Sequence, residues 1–290
     1  MIDENLDRMA RRSFLALSAL ATGAGVMSGP ASAADGDAGA AAGGGTRSLM
    51  EIYADQDARA DGKPVFWLTR GREYLVQGGK VIPVYDRHII TAARLIPTPE
   101  GGFKRPYVES AFSTMPGETD APPQLTSPMT GQPYPNPVIG KLRLTLWVSP
   151  AGEITQVVKL EKPKINSFYN GYVSLVHGPR GHKLLACAIN ARAETPSGVL
   201  DLTELGPYQV DQGQGSDGYT STSREVIVCR DAPASLTGGA AASQIGIHPS
   251  AKYASIEQVK GAFTPMEAER YAAWLQNWES LLYAKEDVIV

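Results

Sequence analysis

Alternating apolar and polar positions dominate the middle of this chain. Lys141–Ser149 places Leu142, Leu144, Leu146 and Val148 on one side and Lys141, Arg143 and Thr145 on the other. That period of two marks a half-buried strand. Pro150-Ala151-Gly152 then turns the chain into Glu153–Glu161, its hairpin partner. Upstream, Pro64–Val76 is an extended aromatic run ending at the Gly78-Gly79 turn. Lys80–Ile96 is a second long strand, closed by Pro99-Glu100-Gly101-Gly102, and Phe103–Thr114 makes a third. Lys183–Ala193, Gly198–Leu205 and Tyr219–Cys229 continue the series. About eight strands separated by turn signals predict a mainly β protein, an antiparallel barrel (calycin-like) or a sandwich, rather than βαβ units.

Two stretches break the pattern. Residues Met115 to Pro137 are dense in Pro, Gly, Thr and Ser and are unsuited to a central strand. A loop of that length in a compact domain is either functional or disordered. Ala232 to Ser250 also reads as a loop. The carboxyl end predicts one amphipathic helix, with Thr264 as N-cap, Pro265 at the first helical position and Glu267 completing a capping box. Its stripe of Tyr271, Trp274, Leu275, Trp278, Leu281 and Leu282 is expected to plug a barrel end or cover an open face of the sheet.

The amino terminus adds a compartment. Arg11-Arg12 precede Ser13-Phe14-Leu15, a modestly apolar run reaches Met27, and Ala31-Ser32-Ala33 offers a cleavage site before Ala34. This order predicts a twin-arginine signal peptide over 1–33, so the translocase is a partner during export and the destination is the periplasm. An Ala/Gly-rich linker over 34–50 and a single β-rich domain over 51–290 follow. The run is too short and too weakly apolar for a stable membrane span, and no later segment approaches one. A net charge of -3 argues against nucleic acid as a partner. Cys187 and Cys229 permit one disulfide, but both lie in apolar, alternating segments where a free thiol behaves as a small hydrophobe.

Candidate chemistry is sparse. There is no G-x-S-x-G elbow, phosphate loop, G-x-G-x-x-G or H-E-x-x-H, so no cofactor is expected. Gly213–Gly218 lies between strands without a following helix and reads as a turn. On the strand around Val84–Arg94, Asp86, His88 and Arg94 share one parity, while Tyr85, Arg87 and Thr91 share the other. Whichever face turns inward carries ionisable groups into a β interior, and such clusters are enriched at functional sites. The competing reading is an exposed face with a structural ion pair. His88, Asp86, Tyr85 and Glu109 are the candidate acid–base groups. Trp67, Arg72, Tyr74, Arg94, Tyr107, Phe112 and Glu225 are candidate lining for an apolar or aromatic molecule bearing one or two oxygens. His177 and His182 bracket a Gly-Pro-Arg-Gly turn; a metal there lacks an evident third ligand. His248 lies in the loop-like stretch and carries no readable signal.

Lys63-Pro64-Val65-Phe66-Trp67 through Gly71-Arg72 and Tyr74, with Ser127-Pro128-Met129-Thr130-Gly131 and Tyr134-Pro135-Asn136-Pro137, resembles an exported proteobacterial family known only as domain of unknown function 1838. Thr126-Ser127-Pro128 stand where that family's W-x-N-P-x-T-G segment begins. The resemblance implies export and a β-rich domain, and it supplies no reaction. Three functions stay open: a cofactor-independent lyase, isomerase or hydratase, a non-catalytic small-molecule carrier, or an envelope interaction protein using the 115–137 loop.

Overall fold

The computed structural model describes residues 48–59, 61–161, 164–177, 183–195, 198–209 and 219–289. The expected leader, most of the linker, the Gly213–Gly218 turn and His182 lie outside these residues, as does the side chain of His177. Helix α1 (Leu49–Asp57) opens the described chain. Strands β1 (Val65–Gln77), β2 (Lys80–Ala93), β3 (Ile96–Pro97) and β4 (Phe103–Thr114) follow. The small strands β5 (Gln124–Thr126) and β6 (Pro133–Pro135) precede β7 (Ile139–Val148) and β8 (Glu153–Glu161). Next come β9 (Lys164–His177), β10 (Lys183–Thr195), β11 (Gly198–Gln209) and β12 (Tyr219–Cys229). Helix α2 (Ala234–Thr237), β13 (Ser243–Tyr253), helices α3 (Ile256–Gly261), α4 (Pro265–Arg270) and α5 (Ala272–Leu282), and β14 (Val288–Ile289) complete the chain.

Antiparallel neighbours run β7-β8-β9-β10-β11-β12-β13-β1-β2-β4, and β4 pairs back onto β7. The sheet is therefore a closed ten-stranded barrel, with β3 and β14 added at its margins. Closure gives every strand one luminal and one outer face. Leu142, Leu144, Ile154, Leu185 and Ile189 are buried on the luminal side of β7, β8 and β10, the period-two pattern read from the sequence.

Two of the ten barrel strands go beyond those the pattern predicts, as do the short strands β5, β6 and β14. β9 holds Gly171, where a Cβ would meet Ile189 Cγ1 at 2.7 Å and the Ala188 carbonyl closer still. Only glycine lets β9 and β10 approach there. β13 lies within the stretch expected to be a loop. Its Gly246 and Pro249 resemble turn signals, and its polar residues rather than its apolar ones point inward.

Both barrel ends are filled. At one, α1 is buried through Met50, Ile52, Tyr53, Ala54, Gln56 and Asp57. A helix buried on nearly all sides shows no amphipathic stripe, which is why its sequence resembles the end of a linker and the start of a domain. Ser48 and Glu51 form its capping box. At the other end, the 115–137 segment folds into the β5–β6 hairpin. Leu125 and Tyr134 pack there against Leu75, Val84, Tyr85 and Leu236. Asn136 accepts from the Ser113 amide and donates to the Ser113 and Pro122 carbonyls, pinning the segment to β4.

The expected single carboxyl-terminal helix is two, α4 and α5, broken at Tyr271 and preceded by α3. The stripe covers part of the outer wall rather than plugging an end. Phe66, Leu68, Ile90 and Phe112 pack there against Tyr271, Trp274 and Leu282. One carboxylate fastens the helices to the wall. Glu267, fully buried, receives Arg70 through Nε at 2.8 Å and Nη2 at 2.6 Å, and meets His88 Nδ1 at 3.0 Å. Burial alone would raise its pKa, but Arg70, His88 and the Thr264 amide outweigh burial and lower it to about 2. The stability this carboxylate supplies is present above its unfolded pKa and lost as pH falls toward 2. Glu267→Gln is expected to cost about 3 kcal/mol at pH 7. Urea unfolding followed between pH 2 and 7 checks this, since the variant should lose the share of acid sensitivity below pH 4.5 that Glu267 supplies, leaving that of Glu73 and Asp86.

Candidate functional site

The parity of β2 decides which sequence-derived candidates share a site. Ile89 and Ala93 pack in the luminal cluster, whereas Ile90 and Ala92 pack in the outer one. Tyr85, Arg87 and Thr91 therefore face the lumen, and Asp86 and His88 face outward. The candidate residues do not form one constellation. Trp67, Tyr85, Tyr107, Glu109 and Glu225 are luminal, while Arg72, Tyr74, Asp86, His88, Arg94 and Phe112 belong to the outer wall.

The ionisable groups of the outer wall have structural work. Asp86 receives Arg72 Nη2 at 2.9 Å and the Gly117 amide at 2.8 Å, tying β1 and β2 to the 115–137 segment. His88 stacks on Phe112 at 4.9 Å and meets Glu267. The Arg94 guanidinium lies 4.3 Å from the centre of the Tyr283 ring. The assignment of His88 and Asp86 to a luminal acid–base site is thus corrected: barrel closure turns their parity away from the interior.

The lumen holds a richer set than the sequence suggested. On β13, Gln244, His248, Ser250 and Lys252 are buried, while Ile247 is exposed on the outer face. The strand is polar inside and apolar outside, which hid both its existence and His248. His248 Nε2 lies 2.9 Å from Glu73 Oε1, and Gln244 Nε2 donates to Glu73 Oε2 at 3.0 Å and to Tyr85 Oη at 2.9 Å. Burial would raise the Glu73 pKa, but His248, Gln244 and Arg87 together hold the carboxyl below its ordinary value. An ionised Glu73 fixes Nε2–H as the donor and leaves Nδ1 buried and without a hydrogen-bond partner among the described residues.

Gly71 makes this arrangement possible. A Cβ there would stand 2.8 Å from His248 Cγ and nearer to Cδ2, so the imidazole lies over bare backbone. Gly246 plays the same part beside Glu73, whose Oε1 would stand 2.7 Å from a Cβ at that position.

Glu225 stands directly across the β12–β13 ladder from His248. Its pKa is raised to about 6, first by burial, against the lowering effects of the His248 charge, a hydrogen bond with Glu204 and the Arg105 charge. Glu204 lies opposite Ile227 on β11, one step diagonally from Glu225. Two carboxyl groups joined by a hydrogen bond share a proton between them. Glu109 is fully buried and accepts from Thr91 Oγ1 at 3.4 Å. Tyr85 and Tyr107 are pushed well above the usual phenol range, chiefly by burial, so they keep their protons and act as donors, not bases.

Trp67, Thr69, Thr91, Arg105, Tyr107, Glu225 and Ser250 line a cavity of ≈ 20 Å³. That is room for one water, so a larger guest enters only if part of the wall moves. Cys187 and Cys229 are free, buried thiols. Among the described residues no group of three or more His, Cys, Asp or Glu side chains is placed to hold a metal, and no helix is long and apolar enough to cross a membrane. No family model, curated protein or solved structure matches the chain.

Two outcomes are expected. Gly71→Ala should destabilise the fold by about 1–3 kcal/mol through overpacking, and less in a His248→Ala background, where the ring is gone but the Ile247 carbonyl at 2.8 Å remains. Denaturant unfolding of the four-protein cycle measures the coupling. Carboxyl ¹³C NMR should find one Glu titrating near pH 6 that Glu225→Gln removes. Because this folded pKa is raised, its stabilising effect is complete below the unfolded value and is lost as pH rises through 6.

Proposed function

We propose that the protein is a periplasmic, small-molecule-binding barrel whose lumen performs cofactor-independent acid–base chemistry, as a lyase, isomerase or hydratase. The observation that carries this reading is the pairing of Glu225 with His248. These neighbouring groups occupy opposite protonation roles. Glu225 holds a proton up to about pH 6, and His248 is oriented by an ionised Glu73 through Nε2, leaving Nδ1 for proton exchange. A carboxyl that keeps its proton beside an imidazole oriented by a carboxylate offers a donor and an acceptor within one site.

The cavity touches the pair through Glu225, with His248 across the β12–β13 ladder from it. Glu225 forms part of its wall, Trp67 and Tyr107 provide aromatic surface, and Thr69, Thr91 and Ser250 provide hydroxyls. A substrate with an apolar body and one or two oxygens suits that lining. In such a site Glu225 protonates a leaving or carbonyl oxygen while His248 removes a proton from the adjacent carbon. Isomerisation returns the proton elsewhere on the substrate, and elimination releases water or an alcohol. Enclosure of the lumen keeps bulk water from competing. Export by the twin-arginine route, read from Arg11-Arg12 and Ala31-Ser32-Ala33, fits a barrel that folds before it crosses the membrane.

The test begins with protein purified from the periplasm, analysed by native mass spectrometry, then denatured to identify any released molecule. Incubation with that molecule should yield product. Glu225→Gln is expected to lower turnover by about 10²–10⁴-fold, whereas His88→Ala, on the outer wall, should leave it unchanged. Binding without product identifies a carrier instead, and full turnover in both Glu225→Gln and His248→Gln sinks the acid–base reading.

A further inference from the structure

The mouth of the lumen nearest α1 carries a second arrangement that the acid–base pair does not use. Arg105 grips the Asp57 carboxylate with two nitrogens: Nε on Oδ2, and Nη2 on Oδ1 at 3.2 Å. Beside it Lys252, also buried, donates from Nζ to the main-chain carbonyls of Asp55 and Ala58, the latter at 3.1 Å. Trp67 Nε1 donates to the Asp57 carbonyl at 3.0 Å. The end of α1 is therefore held by two cations and an indole projecting from the barrel wall.

We infer that Arg105 and Lys252 form a carboxylate-binding subsite, filled in this structure by the chain's own Asp57 and the last carbonyls of α1, and that the ligand of the lumen is a small carboxylic acid whose carboxylate takes Asp57's place. This deepens the reading of the lumen as a reaction site and rests on it.

Three observations support the assignment. First, Arg105 and Trp67 belong both to the clasp and to the cavity wall. A carboxylate held by Arg105 in the fork geometry that guanidinium favours carries its carbon skeleton toward the space bounded by Trp67, Tyr107 and Glu225. Second, the clasp is a costly way to hold a helix. A buried ion pair loses about as much in desolvation as it gains, and apolar residues of similar volume serve stability as well or better. Lys252 is the sharper case: burial, its largest influence, lowers its pKa, opposed by the charges of Asp57 and Asp55. Third, α1 is short and joined to β1 by a link that can bend, so it can be displaced as a unit despite its buried contacts. Its nine residues are too few for a helix to persist alone in water, and the connection to β1 contains Gly62 at φ 72, where a hinge is tolerated. Departure of α1 also supplies the space that the ≈ 20 Å³ cavity lacks. An incoming carboxylate replaces Asp57 charge for charge, so Arg105 is never left buried and unpaired.

The experiment uses the full chain after leader removal and titrates benzoate, with benzyl alcohol as the uncharged control, by calorimetry. Asp57→Ala is expected to bind benzoate at least about tenfold more tightly than the unaltered protein, since the internal competitor is gone. Adding Arg105→Gln should abolish that gain, and benzyl alcohol should show none. Equal benzoate affinity with and without Asp57 overturns the proposal, as does an equal gain for benzyl alcohol, which indicates only an opened hole. Should Asp57→Ala fail to fold, Asp57→Asn preserves the side chain's volume and a hydrogen bond and is judged by the same outcomes. Benzoate binding by a protein in which Glu225→Gln does not affect turnover separates failure of the acid–base reading from failure of the subsite.

Discussion

Pairing of β4 with β7 closes the sheet, and the remaining features follow from that closure. A closed barrel has no edge through which a luminal side chain escapes to water. Every polar group that points inward must find its partner among other inward groups, because an unpaired buried charge costs several kcal/mol. Glu73 answers with His248 and Gln244, Arg87 with Ser113 and the Pro137 carbonyl, and Arg105 with Asp57. These partners come from elements distant in sequence, the strands β13 and β4, helix α1 and the segment before β7, so the polar network forms only when the ring and its filled end are assembled. Glycines at 71 and 246 belong to the same logic, since their missing side chains are the space that His248 and Glu73 occupy.

The outer wall obeys a different rule. There ion pairs, some of them buried, fasten one layer to the next. Glu267 joins α4 to β1 and β2 through Arg70 and His88, and Arg143 joins β7 to the chain's end through Asp287 at 2.5 Å and the Ala284 carbonyl at 2.8 Å. One strand thus serves both regimes. Along β2, Arg87 belongs to the lumen while its neighbours Asp86 and His88 belong to the attachments outside.

That alternation explains what is legible in the sequence. Phe103–Thr114, Glu153–Glu161 and Tyr219–Cys229 are strands with the bounds their patterns predict, because turn residues bound them and β-branched and aromatic residues fill them. The polar cluster on β2 is visible too, but parity alone says only that two faces differ, and closure chooses between them. β13 escapes because it reverses the usual sign: Gln244, His248, Ser250 and Lys252 are buried and Ile247 is exposed. Hydrophobicity reads such a strand as a loop, especially with Gly246 and Pro249 inside it. Polar residues alternating strictly through a supposed loop are the available signal. α1 escapes for a related reason, since a helix surrounded by protein has no polar face to set its period.

The distribution of polarity within the lumen bears on function more than any single residue. The walls from β7, β8 and β10 contribute Leu142, Leu144, Ile154, Leu185 and Ile189, and they show that this barrel can be filled with aliphatic side chains. A barrel serving only as a scaffold gains nothing by departing from that solution elsewhere. Yet β11, β12, β13 and β1 together place Glu204, Glu225, His248, Gln244, Lys252 and Glu73 inside. The departure continues onto β2 and β4 through Arg87, Arg105 and Glu109, faces a wall that is mostly aliphatic, and sits between two filled ends. A guest held there meets aliphatic or aromatic surface on one side and proton donors and acceptors on the other. That asymmetry suits the proposed ligand, since an apolar body and a polar end would each meet surface of their own kind.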